Sequence, residues 1–318
     1  MPGRRTGLEM KINLLALGAI GLCAVLAPIA QRQGFFRNRG IDLQIVPVSG
    51  TDIPELTIDN PVGHIGAPAA LMRAAAGADL RILACFDSAR VSSCLVVHPA
   101  ICVAEQLRGK RLGARASAAA LWLHTVIALE RLGLDPEKDR ISIAEIGEPA
   151  DIVAALETGR IHGAVLPRPY CAGLVRQGFS VLLDLSLETA YGAPDALVAR
   201  ADFLQEHPKA SEAIVATLIE SAAFTLSPFN KSIVVRHVSD ALALPRPDAE
   251  LALSELTKSI VRRPYPSAER LCRLQLTMAR ANQAVLAAAL QDLLTDQVVR
   301  KLDRDGFVER TYAAYAAT

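Results

Sequence analysis

The sequence predicts an α/β fold with two lobes, each built around a largely parallel β-sheet. Its 318 residues are more than one small core requires and suit two lobes of ordinary size. Short apolar runs alternate with helical patterns through the first 200 or so residues, which is typical of strands connected by helices on both faces of a sheet. Beyond them the pattern becomes almost purely helical.

The individual elements follow from the spacing of the apolar residues and from the positions of glycine and proline. Strands are predicted at 12–17, 41–46, 62–65, 81–86, 93–97, 111–114, 141–146, 163–166, 181–183 and 196–199. Helices are predicted at 68–79, 119–135, 148–160 and 168–179, where Gly133, Gly159 and Gly178 mark helix ends. The tail is predicted to form helices at 201–226, 232–242, 248–259 and 268–294 and to pack back on the first lobe.

Composition excludes several classes of function. The net charge is +1 and only 4% of the residues are aromatic, so neither a nucleic-acid surface nor an anionic membrane surface is predicted. The six cysteines form no C-x-x-C pair and no disulfide framework, and they favour a reducing compartment. The six histidines show no ligand spacing, so we predict no metal and no cofactor.

The first thirty residues decide the predicted location. Residues 12–30, INLLALGAIGLCAVLAPIA, follow three basic residues and resemble a secretory signal peptide. However, Pro28 and Leu22 occupy positions that a cleavage site or a lipidated cysteine would require to be small. A helix ending near Asn38 would also start near Gly21, inside this stretch, with the first strand before it. We therefore predict a cytoplasmic protein, and a periplasmic one if the stretch is an export signal.

An ordered series of segments carries a resemblance to a known family. QGFF at 33–36 and GIDLQIV at 40–46 are followed by SGT at 49–51, IGAPAALMRAAAGADLRILACF at 65–86 and LRGKRLGARASAAALWLHTVIALERLGLDP at 107–136. Together they resemble the substrate-binding proteins of the NMT1/SsuA/TauA type, which have the type II periplasmic-binding fold. The resemblance implies a first lobe of residues 10–88 plus 190–318 and a second lobe of 92–186. It also implies hinges near 89–92 and 185–191.

A weaker similarity connects the chain to hydroxybiphenyl sulfinate desulfinase, an enzyme with the same fold. LTIDNPVGHIG at 56–66 and RLGARASAAALW at 111–122 carry it. The position that matches the nucleophilic cysteine of that enzyme is Gly21, and Cys23 lies two residues further on. The arginine of that enzyme aligns near His64 and its histidine near Glu55. Cysteine-based desulfination is therefore not predicted.

The predicted ligand site lies beyond the carboxyl ends of the strands, where helices begin. Ser117 is placed to cap the helix that follows 111–114, which leaves the Ala118 amide free to donate to an anion. Arg115 adds a charge suited to a carboxylate, sulfonate or phosphate. The alternative is an ordinary capped helix beside a surface arginine.

Two segments of the first lobe extend this prediction. Small residues at Gly66 and Ala67 let a ligand approach the backbone, or they merely allow tight helix packing. Asn60, together with Asp59, either faces the ligand or forms a turn before Pro61. His64, Asp59 and Glu55 are weak catalytic candidates, since a lone histidine is more often structural than catalytic.

The remaining candidates line the other walls of the predicted cleft. The turn after the first strand offers backbone groups at Gly18, Ala19 and Gly21, and Ser49 and Thr51 offer hydroxyl groups. Two prolines fix the turn that carries Arg168 and Tyr170, which is otherwise a rigid surface turn. Tyr191 lies beside the predicted hinge.

Three functions fit these patterns. The first is binding of a small organic molecule, anionic or polar-headed, in the cleft between the lobes, as in the receptor of an ABC transporter. It needs an exported chain to reach a membrane transporter. The second is a cytoplasmic lyase or biosynthetic enzyme, such as a decarboxylase or desulfinase, on the same scaffold. The third is a cytoplasmic ligand sensor. No oligomeric state is predicted.

Overall fold

The computed structural model of the chain contains two five-stranded sheets. It describes residues 10–17, 22–48, 55–88, 92–115, 120–186, 194–280 and 282–316. The strands are β1 (Met10–Leu17), β2 (Ile41–Val48), β3 (Val62–Gly66), β4 (Leu80–Cys85), β5 (Ser93–Val97), β6 (Arg111–Ala114), β7 (Ser142–Glu145), β8 (Gly163–Pro167), β9 (Ser180–Asp184) and β10 (Asp195–Arg200). The first sheet has the order β2-β1-β3-β10-β4 and the second β7-β6-β8-β5-β9.

Each sheet contains one strand that runs against the others. In the first sheet β1 is parallel to β2 and β3, whereas β10 is antiparallel to both β3 and β4. In the second sheet β6 is parallel to β7 and β8, whereas β5 is antiparallel to both β8 and β9. The reversed strand is in each case the first one formed after the chain passes from one sheet to the other.

Helices cover both faces of each sheet. The helices of this part are α1 (Leu26–Arg32), α2 (Ala67–Ala75), α3 (Ala120–Arg131), α4 (Pro149–Glu157) and α5 (Arg168–Arg176). The buried residues of α1 and α2 belong to two different apolar cores on opposite faces of the first sheet. Those of α3 and α5 are separated in the same way by the second sheet. This two-lobed α/β architecture confirms the predicted fold class.

The N-terminal apolar stretch belongs to the folded body. β1 lies between β2 and β3, with Leu14 fully buried and paired in register with both neighbours. After 18–21, which lie outside the described residues, a short 3-10 helix at Leu22–Ala24 leads into α1. Leu26 and Ile29 of α1 are also fully buried. Removal of residues 12–30 would therefore take a strand out of the interior of the first sheet.

The C-terminal part is helical, with differences in detail from the predicted pattern. Its helices are α6 (Ala201–Glu206), α7 (Pro208–Leu226), α8 (Lys231–Leu242), α9 (Arg246–Ser259), α10 (Ala268–Ala279), α11 (Leu290–Leu293), α12 (Gln297–Arg304) and α13 (Phe307–Ala316). The single helix predicted at 268–294 is wrong, because the chain turns after α10 into a 3-10 helix at Gln283–Ala287. There Gln275 donates to the carbonyl oxygens of Val285 and Ala288 at 2.9 and 2.8 Å, which fixes the turn.

The tail contacts both lobes. α7 packs against α1 and α13, and α10 packs against α2, so these helices cover the first sheet. α9 instead packs against α5 of the second sheet. There the Tyr170 hydroxyl donates to the Leu242 carbonyl at 2.8 Å, and Arg176 pairs with the buried Asp248. The chain crosses between the lobes twice, from β4 to β5 (the first crossing) and from β9 to β10 (the second crossing). The tail therefore connects the two lobes in addition to these two crossings.

Tyr170→Phe tests this connection. Because the hydroxyl and its acceptor are both buried, its loss should lower the free energy of unfolding by about 1 kcal/mol. Hydrogen exchange should show faster opening of α5 and of the C-terminal end of α8. Urea unfolding of both proteins measures the first effect. An unchanged free energy of unfolding would mean that this bond contributes nothing to the contact between tail and second lobe.

The described residues include no single helix long and apolar enough to cross a membrane. Pro208–Leu226 together with Pro228–Leu242 passes the same test as a pair bent by 79°. Most of the apolar residues of α7 are buried between α1 and α13, as expected for a core helix.

Candidate functional site

The path of the chain places the carboxyl edges of the two sheets opposite each other. The first crossing leaves β4 at the carboxyl edge of the first sheet and enters β5, which starts at the carboxyl edge of the second sheet because it runs antiparallel. The second crossing leaves β9 and enters β10 in the same manner. Both connections are short, so the space between the two carboxyl edges is where this architecture predicts a ligand cleft.

Each sheet has a point at its carboxyl edge where helices leave in opposite directions. In the first sheet it lies between β1 and β3, because α1 and α2 run to opposite sides and cover opposite faces. In the second sheet it lies between β6 and β8, with α3 and α5 in the equivalent positions. Ligands of open α/β sheets bind at such switch points.

His64 lies at the switch point of the first sheet. Its backbone is paired with Ala16 of β1 and Leu197 of β10, and its side chain is fully buried in a T-shaped contact with Phe86, at 5.9 Å between ring centroids. Neither ring nitrogen has a hydrogen-bond partner among the residues that the structure describes. Burial lowers the pKa of His64 to about 4. The imidazole is therefore neutral at pH 7, with one N–H donor and one acceptor that no described residue uses.

Arg115 lies at the switch point of the second sheet and is paired. It directly follows β6, is 5% exposed, and donates through Nε and Nη2 to Glu148 Oε1 at 3.2 and 2.6 Å. Glu148 is the N-cap residue of α4, which follows the neighbouring strand β7. Its other oxygen, Oε2, is buried without a hydrogen-bond partner within the described part of the chain.

Glu148 is not among the site residues predicted from the sequence. Its position in the sequence could have indicated it. Glu148 directly precedes a helix that follows a strand and begins with Pro149, and Arg115 also lies between a strand and a helix. The pairing matters for the charge of the site. Arg115 was predicted as a free positive charge for an anion, but the adjacent carboxylate neutralises it.

Arg168 lies where the two crossings meet, and Tyr170 contacts the C-terminal tail. The Arg168 amide donates to the Ser92 carbonyl at 3.0 Å, and its guanidinium pairs with Asp184 and donates to Ser186 at 2.9 Å. Arg168 therefore holds the end of the first crossing and the start of the second together. Tyr170 is buried and bonded to the tail. Their contacts are structural, and neither side chain lies free in the cleft.

The turn from β3 into α2 is built largely as predicted. Gly66 is the extended N-cap residue of α2, with Pro68 in the first turn. The Ala67 amide, however, donates to the Pro194 carbonyl at 2.8 Å. This amide is therefore occupied by the start of β10 and serves to hold the second crossing against the first sheet.

Asp59 and Asn60 lie at the opposite edge of the first sheet. They precede the amino end of β3, where the Asn60 amide donates to Thr57 Oγ1 at 3.1 Å in a local turn. The Pro61 carbonyl accepts from Arg200 at the far end of β10. Asp59 is exposed, as is Glu55. The structure does not bring Asp59 and Asn60 together with His64, because they precede β3 whereas His64 lies inside it, paired on both sides.

The other predicted contact residues lie outside the described part of the chain. They are Gly18, Ala19, Gly21, Ser49, Thr51, Ser117, Ala118 and Tyr191. Their roles stay predictions. Within the described residues no group of three or more His, Cys, Asp or Glu side chains is arranged to hold a metal ion.

Part of the chain matches a known protein family. The NMT1-like family model matches residues 100–239. The chain resembles the NMT1-like family. No curated protein sequence matches the chain.

Solved structures match over nearly the whole length. The periplasmic sulfonate-binding protein SsuA from Methylobacillus flagellatus KT has a TM-score of 0.73 and 17% identity, with 95% of this chain and 96% of that chain covered. The periplasmic aliphatic sulphonate-binding protein SsuA from Escherichia coli has a TM-score of 0.69 and 19% identity, with 92% of this chain and 93% of that chain covered. A mutant of the enzyme DszB in complex with biphenyl-2-sulfinic acid has a TM-score of 0.67 and 16% identity, with 93% of this chain and 99% of that chain covered. Both predicted resemblances are thereby confirmed at the level of the fold.

The cytoplasmic location favoured from the sequence gains no support from these neighbours, since both SsuA proteins are named as periplasmic. The boundaries of the two lobes and the positions of the hinges remain predictions.

Proposed function

We propose that the chain binds a small organic molecule with a polar head between the carboxyl edges of its two sheets. One observation carries the proposal: the switch points of the two sheets hold buried polar atoms, in His64 and Glu148, that no described residue satisfies. Buried polar groups are nearly always hydrogen-bonded in folded proteins. A ligand that enters the cleft would supply the missing partners.

The paired charges at the second switch point favour one kind of head group. The guanidinium of Arg115 has N–H groups that Glu148 does not use, and Glu148 Oε2 is an acceptor that no described residue satisfies. Together Arg115 and Glu148 therefore present N–H donors next to a carboxylate oxygen that can accept. An amide or a nitrogen heterocycle offers the complementary pair, whereas a fully ionised sulfonate would meet the repulsion of the Glu148 carboxylate. We therefore favour the polar-headed form of the prediction over the anionic form.

A ligand panel tests the proposal. A ligand that binds only the folded chain stabilises it by about 2.7 kcal/mol at a hundredfold excess over its Kd, which a thermal-unfolding screen detects. The panel should contain alkanesulfonates, carboxylates, amides and nitrogen heterocycles. Native mass spectrometry of the purified protein adds any molecule that is carried through purification. Stabilisation by the sulfonates alone would refute the preference for a neutral polar head.

Variants of the pair locate the site. The double variant Arg115→Gln, Glu148→Gln removes both charges and keeps the side-chain shapes similar, so the chain should fold. Its affinity for the molecule that the panel identifies should fall about 10- to 100-fold, as for loss of charge-assisted hydrogen bonds. Arg111→Gln, at the exposed start of the same strand, is the control and should bind normally. Isothermal titration of the three proteins measures the difference. Equal affinity in a folded double variant would place the ligand elsewhere.

Delivery of the ligand to a membrane importer is the further role that the SsuA neighbours suggest. It requires the chain to lie outside the inner membrane. Fractionation of cells that produce the protein at natural levels, followed by mass analysis of its N-terminus, tests that role. A chain found only in the cytoplasmic fraction would exclude delivery to an importer and leave binding itself intact.

A further inference from the structure

Two cysteines face each other where α5 packs on the second sheet. Cys94 is in β5, directly paired with Leu166 of β8, and Cys171 is one turn into α5. The Cys171 sulfur lies 3.2 Å from the Leu166 carbonyl oxygen and 3.8 Å from that of Cys94. It therefore lies above this pair of strands. Both thiols are buried, and both belong to the same apolar core.

The two thiols interact with each other and with charged neighbours. The side-chain contact with Cys171 lowers the pKa of Cys94 below its ordinary value, and Arg168 acts in the same direction, whereas burial and Asp184 oppose the shift. The same contact, together with burial, raises the pKa of Cys171. Cys94 is thus the better nucleophile of the two, and Cys171 is placed as its partner.

We propose that Cys94 and Cys171 form a redox-active dithiol that a peroxide converts to a disulfide. The Cys94 thiolate attacks one oxygen of hydrogen peroxide and the O–O bond breaks. The leaving hydroxide takes up the proton that the Cys94 thiol released, so that a sulfenic acid and water form. The Cys171 sulfur then attacks the Cys94 sulfur, the S–O bond breaks, and a second water leaves with the thiol proton. Two thiols are oxidised and one peroxide is reduced to two waters.

The disulfide would act on the junction between the lobes. Arg168 begins the helix that carries Cys171, and it binds Ser92 of the first crossing as well as Asp184 and Ser186 at the start of the second. A covalent bond between α5 and β5 holds these contacts in place one turn away. Oxidation therefore restrains the segments about which the lobes would move.

Peptide mass spectrometry of the native protein tests the proposal. After treatment with hydrogen peroxide, denaturation and alkylation, a peptide that joins Cys94 to Cys171 should be found, lighter by two hydrogen atoms than its two parts. Hydrogen exchange at the start of α5 should slow in the oxidised protein and recover after reduction. Exposed Cys102 and Cys272 are replaced by serine beforehand, so that they cannot exchange with the pair.

Matched variants separate the pair from general cysteine oxidation. Cys171→Ser should abolish the joined peptide and leave Cys94 as a sulfenic or higher acid. Cys85→Ser, at a buried cysteine of the first sheet, should leave the joined peptide unchanged. Full alkylation of Cys94 and Cys171 after peroxide treatment of the folded protein would overturn the proposal. So would a joined peptide that forms only when the chain is unfolded during treatment.

Discussion

Leu14→Ala should lower the free energy of unfolding by about 3 kcal/mol, as for a large-to-small change in a tightly packed core. Leu14 is fully buried in β1, between β2 and β3, so the lost methyl groups leave a cavity inside the first sheet. A signal peptide would behave differently, because a change in a segment that is removed has no effect on the mature protein. The variant therefore tests whether the apolar N-terminal stretch is part of the fold.

Urea unfolding followed by circular dichroism measures this effect, with intact mass confirming the N-terminus of each protein. Lys11→Ala, on the exposed side of the same strand, is the control and should change the free energy of unfolding by less than about 0.5 kcal/mol. If Leu14→Ala and Lys11→Ala unfold alike, β1 is not an interior strand and the first sheet is built differently.

Acidification should destabilise the protein through His64. The folded-state pKa of about 4 lies below the value of 6.5 expected for the unfolded chain, because burial disfavours the charged imidazole. Between these values the unfolded chain binds the extra proton, so stability falls as the pH is lowered from about 6.5 to about 4. The difference corresponds to about 3 kcal/mol. The contribution is constant above pH 6.5, where both states hold a neutral ring.

His64→Leu should remove this part of the pH dependence. At pH 7 the variant should also be more stable than the natural chain by about 1–3 kcal/mol, because two buried nitrogens that no described residue satisfies are gone. His98→Gln, at an exposed histidine, should keep the natural profile. Free energies of unfolding at several pH values measure both effects. A His64→Leu profile as steep as that of the natural chain would assign the acid sensitivity to other groups.

Higher stability together with weaker ligand binding in His64→Leu would show why the histidine is kept. Functional sites often hold groups that the fold alone would not favour. A variant that is more stable and binds equally well would remove His64 from the proposed site.

Most of the fold could be predicted from the sequence because its signals are local. Strands such as β5 and β6 are short apolar runs between turns, and the predicted bounds agree with the structure. The helix predicted at 268–294 failed because its break depends on Gln275, whose side chain bonds two carbonyl groups ten or more residues away. Helical periodicity carries no information about such a contact.

The candidate site was less predictable, because its residues act in pairs formed by the fold. The sequence identified Arg115 at the end of a strand, but its neutralisation by Glu148 depends on β6 and β7 lying side by side. Asp59 and His64 are five positions apart in the chain, yet the extended backbone leaves Asp59 before the amino end of β3 and His64 inside the sheet. The contact between Cys94 and Cys171 spans 77 positions and left no spacing pattern to detect.

The insertion of β10 between β3 and β4 has a consequence for synthesis on the ribosome. Every strand of the second sheet comes from one continuous stretch, so that sheet can assemble as soon as β9 has emerged. The first sheet cannot, since its gap is filled by the last strand of all. Until residue 200 leaves the exit tunnel, β3 and β4 each present an unpaired edge, and the nascent chain then depends most on protection from aggregation.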